Sequence, residues 1–309
     1  MNPLSSSAPG FPMDRQGIAP VAISQTRPLY WSVRRELWEN RSIYLAPLAV
    51  AAVVLFGFVV STIGLPHRRR AALLLDPAHQ RAAIAMPYDI AATMIILTAI
   101  LIGVFYCLDA LHGERRDRSI LFWKSLPVSD LTTVLSKAAI PLVVLPPLSF
   151  VIIALTQLIM FLQSSMVLLV GGLSPETTWK SFNLFEQSLI LAYSLITLAL
   201  WHAPIYAWLL LVSSWARRAT FLWAALPLLA IGVLEKIAFN TRHFASFVQY
   251  RFMGHMEEAF TVKGHGSISS LAQLTPVKFL GTPGLWLGLI FAAGLLAAAV
   301  RLRRYRDPN

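Results

Sequence analysis

HGERRDRSILFWKSLPVSD, residues 112–130, is a charged and aromatic stretch set between two long apolar runs, and that setting decides the fold. Upstream of it, Ile90 to Leu108 carries no charge; downstream, neither does Ala138 to Val170. A hydrocarbon core about 30 Å thick is crossed by about 20 apolar residues in a helix, so each run is of spanning length. Farther out, Ile43 to Leu65, Ser188 to Trp215, Ala219 to Leu234 and Phe279 to Val300 are runs of the same kind. The prediction is an all-α integral membrane protein with six transmembrane helices, at about residues 43–65, 90–108, 138–165, 188–215, 219–236 and 279–300. The third run is too long for one upright helix, and Pro141, Pro146 and Pro147 predict a single tilted or broken span there. In the sixth, Gly284, Gly288 and Gly294 predict close helix contact.

Composition agrees with this reading. Of 309 residues, 56% are hydrophobic and 13% charged, with a mean hydropathy of +0.62, against about 25% charged in a soluble domain. One membrane domain over 43–300 follows, rather than two soluble ones. The net charge of +11 does not point to nucleic acid. The cations sit beside the spans rather than in an aromatic-studded soluble domain, so anionic lipid headgroups are the partners they suit. A lone cysteine, Cys107 in the second span, excludes an intramolecular disulfide.

Most of the Lys and Arg fall in the N-terminal tail, residues 109–137, residues 216–218 and the basic tail 301–309. The positive-inside rule therefore predicts an N-in, C-in protein, with loops 66–89, 171–187 and 239–278 outside. Arg68, Arg69 and Arg70 run against that rule, because this topology places them on the outer side. Residues 1–27, rich in Pro, Ser, Ala and Gly, predict a disordered cytoplasmic tail with no signal-peptide run. Across 28–42, Trp31 and Trp38 recur at i, i+7 with Arg34 and Arg35 between them, the pattern of an amphipathic interfacial helix. Such a helix serves either as an anchor for the first span or as part of a docking surface.

Within the opening stretch, Glu114, Arg115, Arg116, Asp117 and Arg118 alternate in sign, with Glu114 and Arg118 placed to pair at i, i+4. The mixed signs suit a complementary protein surface better than a polybasic lipid patch. Ile120, Leu121, Phe122, Trp123 and Leu126 then surround Lys124 with apolar bulk, Pro127 stops the helix, and Ser129 is placed to cap the next one. Burying three or four of those side chains contributes roughly 5 to 10 kcal/mol before ordering costs. A lever seated in a partner's groove and a loop lying on headgroups both satisfy this pattern.

His202, between Trp201 and Pro204 near the middle of the fourth span, is either a polar contact in a pathway or a neutral imidazole bonded to a carbonyl that Pro204 frees. Glu235 and Lys236 close the fifth span. After them, Phe244, Phe247, Val248, Phe252, Met256 and Phe260 recur at near-helical spacing, predicting a short outer-face helix, interfacial or re-entrant. His243, His255 and His265 are too far apart for a local metal motif, so no metal site is predicted.

The stretch ALHGERRDRSILFWKSLPVSDLTTVLSK, residues 110–137, resembles the cytoplasmic loop after the second span of type-2 ABC exporter permeases. WHAPIYAWLLLVSSWARRATFLWAALPLL, residues 201–229, and YWSVRRELWENRSIYLAP, residues 30–47, are similar to that family in the same order. The resemblance implies half of a dimeric pathway, each half resting on a separate cytoplasmic ATPase that binds ATP and Mg. It makes Glu114 through Leu126 a cytoplasmic coupling helix within the segment 112–129, Pro28 to Arg41 the connecting helix, and Glu114, Arg115, Asp117, Arg118, Phe122, Trp123 and Lys124 the ATPase contacts. It also implies short re-entrant helices near an outer mouth bordered by Glu235, Lys236, Glu257 and Glu258.

The expected function is the permease subunit of an ATP-driven exporter in a bacterial inner membrane, a homodimer that is no enzyme by itself. The chain has no G-x-x-x-x-G-K-[ST] loop with which to hydrolyse nucleotide. Three alternatives are a scaffold or sensor subunit bound to an ATPase, a secondary transporter, and an intramembrane hydrolase using a serine within the membrane and His202. The last lacks G-x-S-x-G and H-E-x-x-H, and the apolar runs show no mid-depth acid for ion coupling.

Overall fold

The computed structural model describes residues 26–117, 128–176, 179, 182–261, 268 and 270–305. It is an all-α integral membrane protein, with six helices long and apolar enough to span and no strand among the described residues. Helix α1, Thr26–Glu39, precedes the first span α2, Ser42–Thr62. A short helix, α3 (Leu65–Ala72), leads into the second span α4, Pro77–Ala110. Helix α5, His112–Arg116, follows after one residue, and α6, Asp130–Ala139, starts the third span.

That span does not break at its prolines. Pro141 has no N–H to give, and the chain widens into a π turn over Ile140–Val144, where the Leu145 N–H reaches the Ile140 carbonyl. Helix α7, Leu145–Val170, carries on from it, and Pro146 and Pro147, directly after the widened turn, have no N–H to give to the carbonyls before them. Ser129 caps α6, its hydroxyl accepting the Thr132 N–H at 3.1 Å. The fourth and fifth spans are α8, Leu184–Trp215, and α9, Thr220–Phe239. After them come α10, His243–Ala259, α11, Pro276–Gly281, and the sixth span α12, Pro283–Tyr305.

The second span starts earlier than its hydropathy. Residues 77–89, read from sequence as loop, form the opening turns of α4, capped by Asp76, whose carboxylate accepts the His79 N–H. Asp89 therefore lies inside a helix.

Helix α8 is the hub of the bundle. Its apolar window is 61% buried, against 6% for α9, which leans on one side of it with most of its surface outward. Residues of α2, α4, α7 and α8 interlock around Ala51, Ile95, Ile152, Ile153 and Leu195. Toward the end that holds α1 and the last turn of α12, a second cluster joins Ile43, Tyr106, Cys107, Leu145 and Leu210, with Val33 and Leu37 of α1 laid over it. Both described ends of the chain thus lie on one side of the bundle, and α3, α10 and α11 lie on the other.

Helix α10 forms where the aromatic spacing predicts a helix, but the stripe divides: Phe244 and Val248 are half-buried and Phe260 is buried, whereas Phe247, Phe252 and Met256 are exposed. Gly254, Ala259 and the partly buried Tyr250, Arg251, His255 and Glu258 turn inward, while Phe247, Phe252, Met253 and Met256 are exposed. The exposed side mixes Phe247, Phe252, Met253 and Met256 with His243, Gln249 and Glu257, which suits a helix at a membrane interface. Of the three glycines in the sixth span, Gly284 and Gly288 make room for the Tyr250 and Arg251 side chains of α10, not for another helix backbone. Gly294 has open space beside it. The expected close helix contact is corrected accordingly: small residues here admit polar side chains.

Candidate functional site

On the side of the two chain ends, the root of the 112–130 stretch enters a chain of buried charges. Glu36 projects from the inner face of α1, one position before Leu37 in the apolar stripe, and it is 1% exposed. The Lys137 ammonium, from the last turns of α6, lies 2.9 Å from Glu36 and 3.0 Å from Glu114 of α5. Arg303, near the end of α12, reaches Glu114 at 2.5 Å and Asp130 at 3.0 Å. The Tyr106 hydroxyl of α4 donates to Glu36 at 2.8 Å, and Arg35 donates to it at 2.9 Å. Five helices therefore meet in one node.

Glu36 and Glu114 stand against Lys137 and Arg303, so the most buried members balance in charge. Taking such groups out of water costs several kcal/mol per ion, which mutual pairing offsets only while every partner is present. Burial would raise the Glu36 carboxyl, but Lys137 beside it, with hydrogen bonds from Lys137, Tyr106 and Arg35, holds it below its ordinary 4.5. A depressed carboxylate contributes stability that is fully present above its unfolded value and is lost as pH falls through the folded one. In detergent, the Tm is expected to fall as pH drops below about 4.5, and Glu36→Gln is expected to flatten that dependence. An unchanged slope in Glu36→Gln would show that Glu36 does not titrate with unfolding.

A second set of bonds ties α5 to the C-terminal end of α8. The Ser213 hydroxyl accepts the Leu111 and His112 N–H groups, both at 3.0 Å. Arg115 donates to the Ser213 carbonyl at 2.6 Å and the Ala216 carbonyl at 2.9 Å. Carbonyls in the last turn of a helix have no partner within it, and a cation there also meets the negative end of the helix dipole. His112 adds a contact from Nδ1 to the Ala216 carbonyl oxygen at 3.1 Å.

The residues singled out from sequence divide as follows. Glu114 and Arg115 turn into the protein, while Asp117 faces outward, 62% exposed and paired with Arg116. Arg118, Phe122, Trp123 and Lys124 lie outside the described residues. On α1, Trp31 and Trp38 are exposed and flank the Arg34 guanidinium, 5.1 and 4.9 Å from their ring centroids. Such an aromatic and cationic face belongs at a membrane interface. Arg35 is placed differently, toward Glu36, Glu39 and Glu114.

Toward the opposite end, His202 is buried with Nδ1 2.9 Å from the Leu198 carbonyl oxygen. That is the carbonyl one helical turn before it, not the one Pro204 leaves without a donor. Its ring lies 5.5 Å from that of His255 on α10. Arg251 stacks over Trp201 at 4.9 Å and donates to the Gly284 carbonyl at 3.1 Å, so α8, α10 and α12 share one polar seam. Glu235 and Lys236 build the corner between α9 and α10. The Glu235 carboxylate accepts Thr241 Oγ1 and the His243 N–H at 2.7 Å and the Phe244 N–H at 2.8 Å, capping α10. Lys236 donates to Asn240 at 2.6 Å, and Asn240 ends α9 in the left-handed region at φ 53°.

Sequence reasoning missed Lys137, Arg303, Tyr106, Ser213, Arg251 and the central place of Glu36. Only Glu36 carried a local signal, an acid lying in the Val33 and Leu37 stripe of an amphipathic helix. The chain matches no protein-family model and no curated protein.

Proposed function

We propose that this chain is the membrane-spanning permease subunit of an ATP-driven exporter, driven through residues 112–129 by a separate cytoplasmic ATPase. The observation that supports this reading is the anchorage of α5. Its first residues are bonded to the end of α8, and Glu114 is ion-paired to α6 and α12 and, through Lys137, linked to α1. A push on the segment beyond Asp117 reaches four elements at once rather than bending a free loop. On this reading Glu114 and Arg115 hold the lever to the bundle, while Asp117, with Arg118, Phe122, Trp123 and Lys124, meets the ATPase. ATP and Mg bind to that partner, and two permease copies form the pathway in an inner membrane with both chain ends inside. Nucleotide-driven closure of the ATPases shifts the population between two arrangements of the spans.

The test is co-expression with the ATPase encoded beside the gene, followed by purification and ATP hydrolysis in lipid. Co-purification with hydrolysis and substrate movement is the expected result; absence of any ATPase from the wild-type preparation would sink the proposal. Co-purification and hydrolysis without movement of any substrate would favour the scaffold or sensor reading. The paired change Phe122→Ala and Trp123→Ala is expected to weaken association at least about tenfold, with thermal unfolding of the spans unchanged. Undiminished association would return the segment to the headgroups.

A further inference from the structure

Arg69 is the one member of the basic run 68–70 that turns inward, and it is 6% exposed. It has no ion pair and no side-chain hydrogen bond among the described residues, and its Nε is buried without a partner. Its neighbours behave otherwise: Arg68 donates to the Ser61 carbonyl, and Arg70 is exposed. A buried cation left alone costs several kcal/mol, so its surroundings decide what it is for.

Arg69 lines a cavity of about 270 Å³ between the end of α2, helix α3 and the opening turns of α4. Phe58, Leu65, Ile84 and Pro87 make apolar walls, and Tyr88 and Ser164, hydrogen-bonded to each other at 3.1 Å, supply hydroxyls. No carboxylate lines it. Pro66 packs on Gly171 at the end of α7, which fixes α3 across the bundle. Because α3 begins just past a 21-residue span, about 30 Å of helix, the guanidinium stands at headgroup level.

Ala83 and Met86 line this cavity and also an open, mostly apolar groove of about 610 Å³ that runs down α4 past Ile90 to Met94. Asp89 lies in the groove and not in the cavity. A guanidinium fork matches phosphate oxygens in pairs. Free phosphate has no use for the apolar continuation, whereas a phospholipid offers a phosphate to the cavity and an acyl chain to the groove.

We propose that Arg69 binds the phosphate of a membrane phospholipid whose acyl chain lies in the groove along α4. The site explains why a basic run stands at the end of the bundle away from the chain termini, and it is independent of the exporter reading.

The experiment is native mass spectrometry of the delipidated, detergent-purified full chain, titrated with palmitoyl-oleoyl-phosphatidylglycerol or with palmitoyl-oleoyl-glycerol. Wild type is expected to retain the phospholipid and lose the neutral lipid. Arg69→Met is expected to reduce retention at least fivefold, and the exposed control Arg70→Met to leave it unchanged. Equal retention by wild type and Arg69→Met would overturn the site, as would an equal loss in Arg70→Met. Displacement of the lipid by millimolar inorganic phosphate would identify free phosphate as the ligand and overturn the lipid assignment. Should Arg69→Met not fold, Ala83→Trp keeps the cation and closes the passage from cavity to groove. It is expected to cause the same fivefold loss, and unchanged retention there would equally overturn the proposal.

Discussion

Lys137→Met is expected to lower the unfolding free energy by about 3–5 kcal/mol, the range for breaking a buried ion pair from one side. The ammonium is 3% exposed and lies against two carboxylates, Glu36 and Glu114, that are themselves buried. Methionine keeps an unbranched apolar stem and removes the ammonium, with its charge and its hydrogen bond to Glu36, leaving two anions close together with fewer cations to hold them. Denaturant titration in detergent measures the loss. Adding Glu36→Gln to Lys137→Met restores the balance of charge, so the double variant is expected to be more stable than the sum of the single changes predicts. A single-variant loss below about 1 kcal/mol, the value of a solvated surface pair, would mean that water reaches the node. Under the exporter reading Lys137→Met also loosens α5 from α1 and α6, which weakens coupling even where the folded protein survives.

Trp201→Ala is the second large effect, about 3–5 kcal/mol for removing a large buried aromatic. Trp201 is wholly buried and meets Tyr250 edge-on at 5.3 Å, Phe279 at 6.2 Å and the Arg251 guanidinium at 4.9 Å. Gly254 permits this approach, since a Cβ there would stand 3.1 Å from the indole ring. Alanine leaves a cavity and deprives Arg251 of its aromatic face. Amide exchange along α10 is therefore expected to quicken more than exchange along α2, whose contacts lie elsewhere. Trp201→Phe keeps a ring beneath Arg251 and is expected to cost less than half as much. Uniform quickening across all spans would show that Trp201 supports the whole bundle rather than the α8, α10 and α12 seam.

The spans were readable because membrane helices announce themselves through length and the absence of charge, and no partner is needed to recognise Ile43 to Leu65 or Phe279 to Val300. Where a helix outruns the hydrocarbon, that signal stops early. His79, Arg81 and Asp89 disguised the opening turns of α4 as a loop, although Asp76 followed by Pro77 is a helix start in its own right. Helix α10 was visible by its spacing, but which face packs was not, because that depends on whether water or lipid lies outside. The charged node was hidden by distance along the chain. Lys137 reads as a loop cation and Arg303 as a tail cation until the fold brings α6 and α12 to α5. Arg69 was the clearest warning, a residue whose position broke the charge rule.

One consequence of the π turn concerns angular phase. Lys137, Pro141, Leu145 and Ser149 are all buried, yet they recur every fourth residue, and in a regular helix each such step drifts by about 40°. Over three steps the face would swing by about 120°, carrying Lys137 away from Glu36 and Glu114 while Ser149 still faced the core. The extra residue in the widened turn takes up about 100° of that swing. Pro141 thus acts as a vernier in the third span, setting the azimuth of the ion node against the membrane-buried face, and one residue added or removed between Lys137 and Leu145 would put the two out of step.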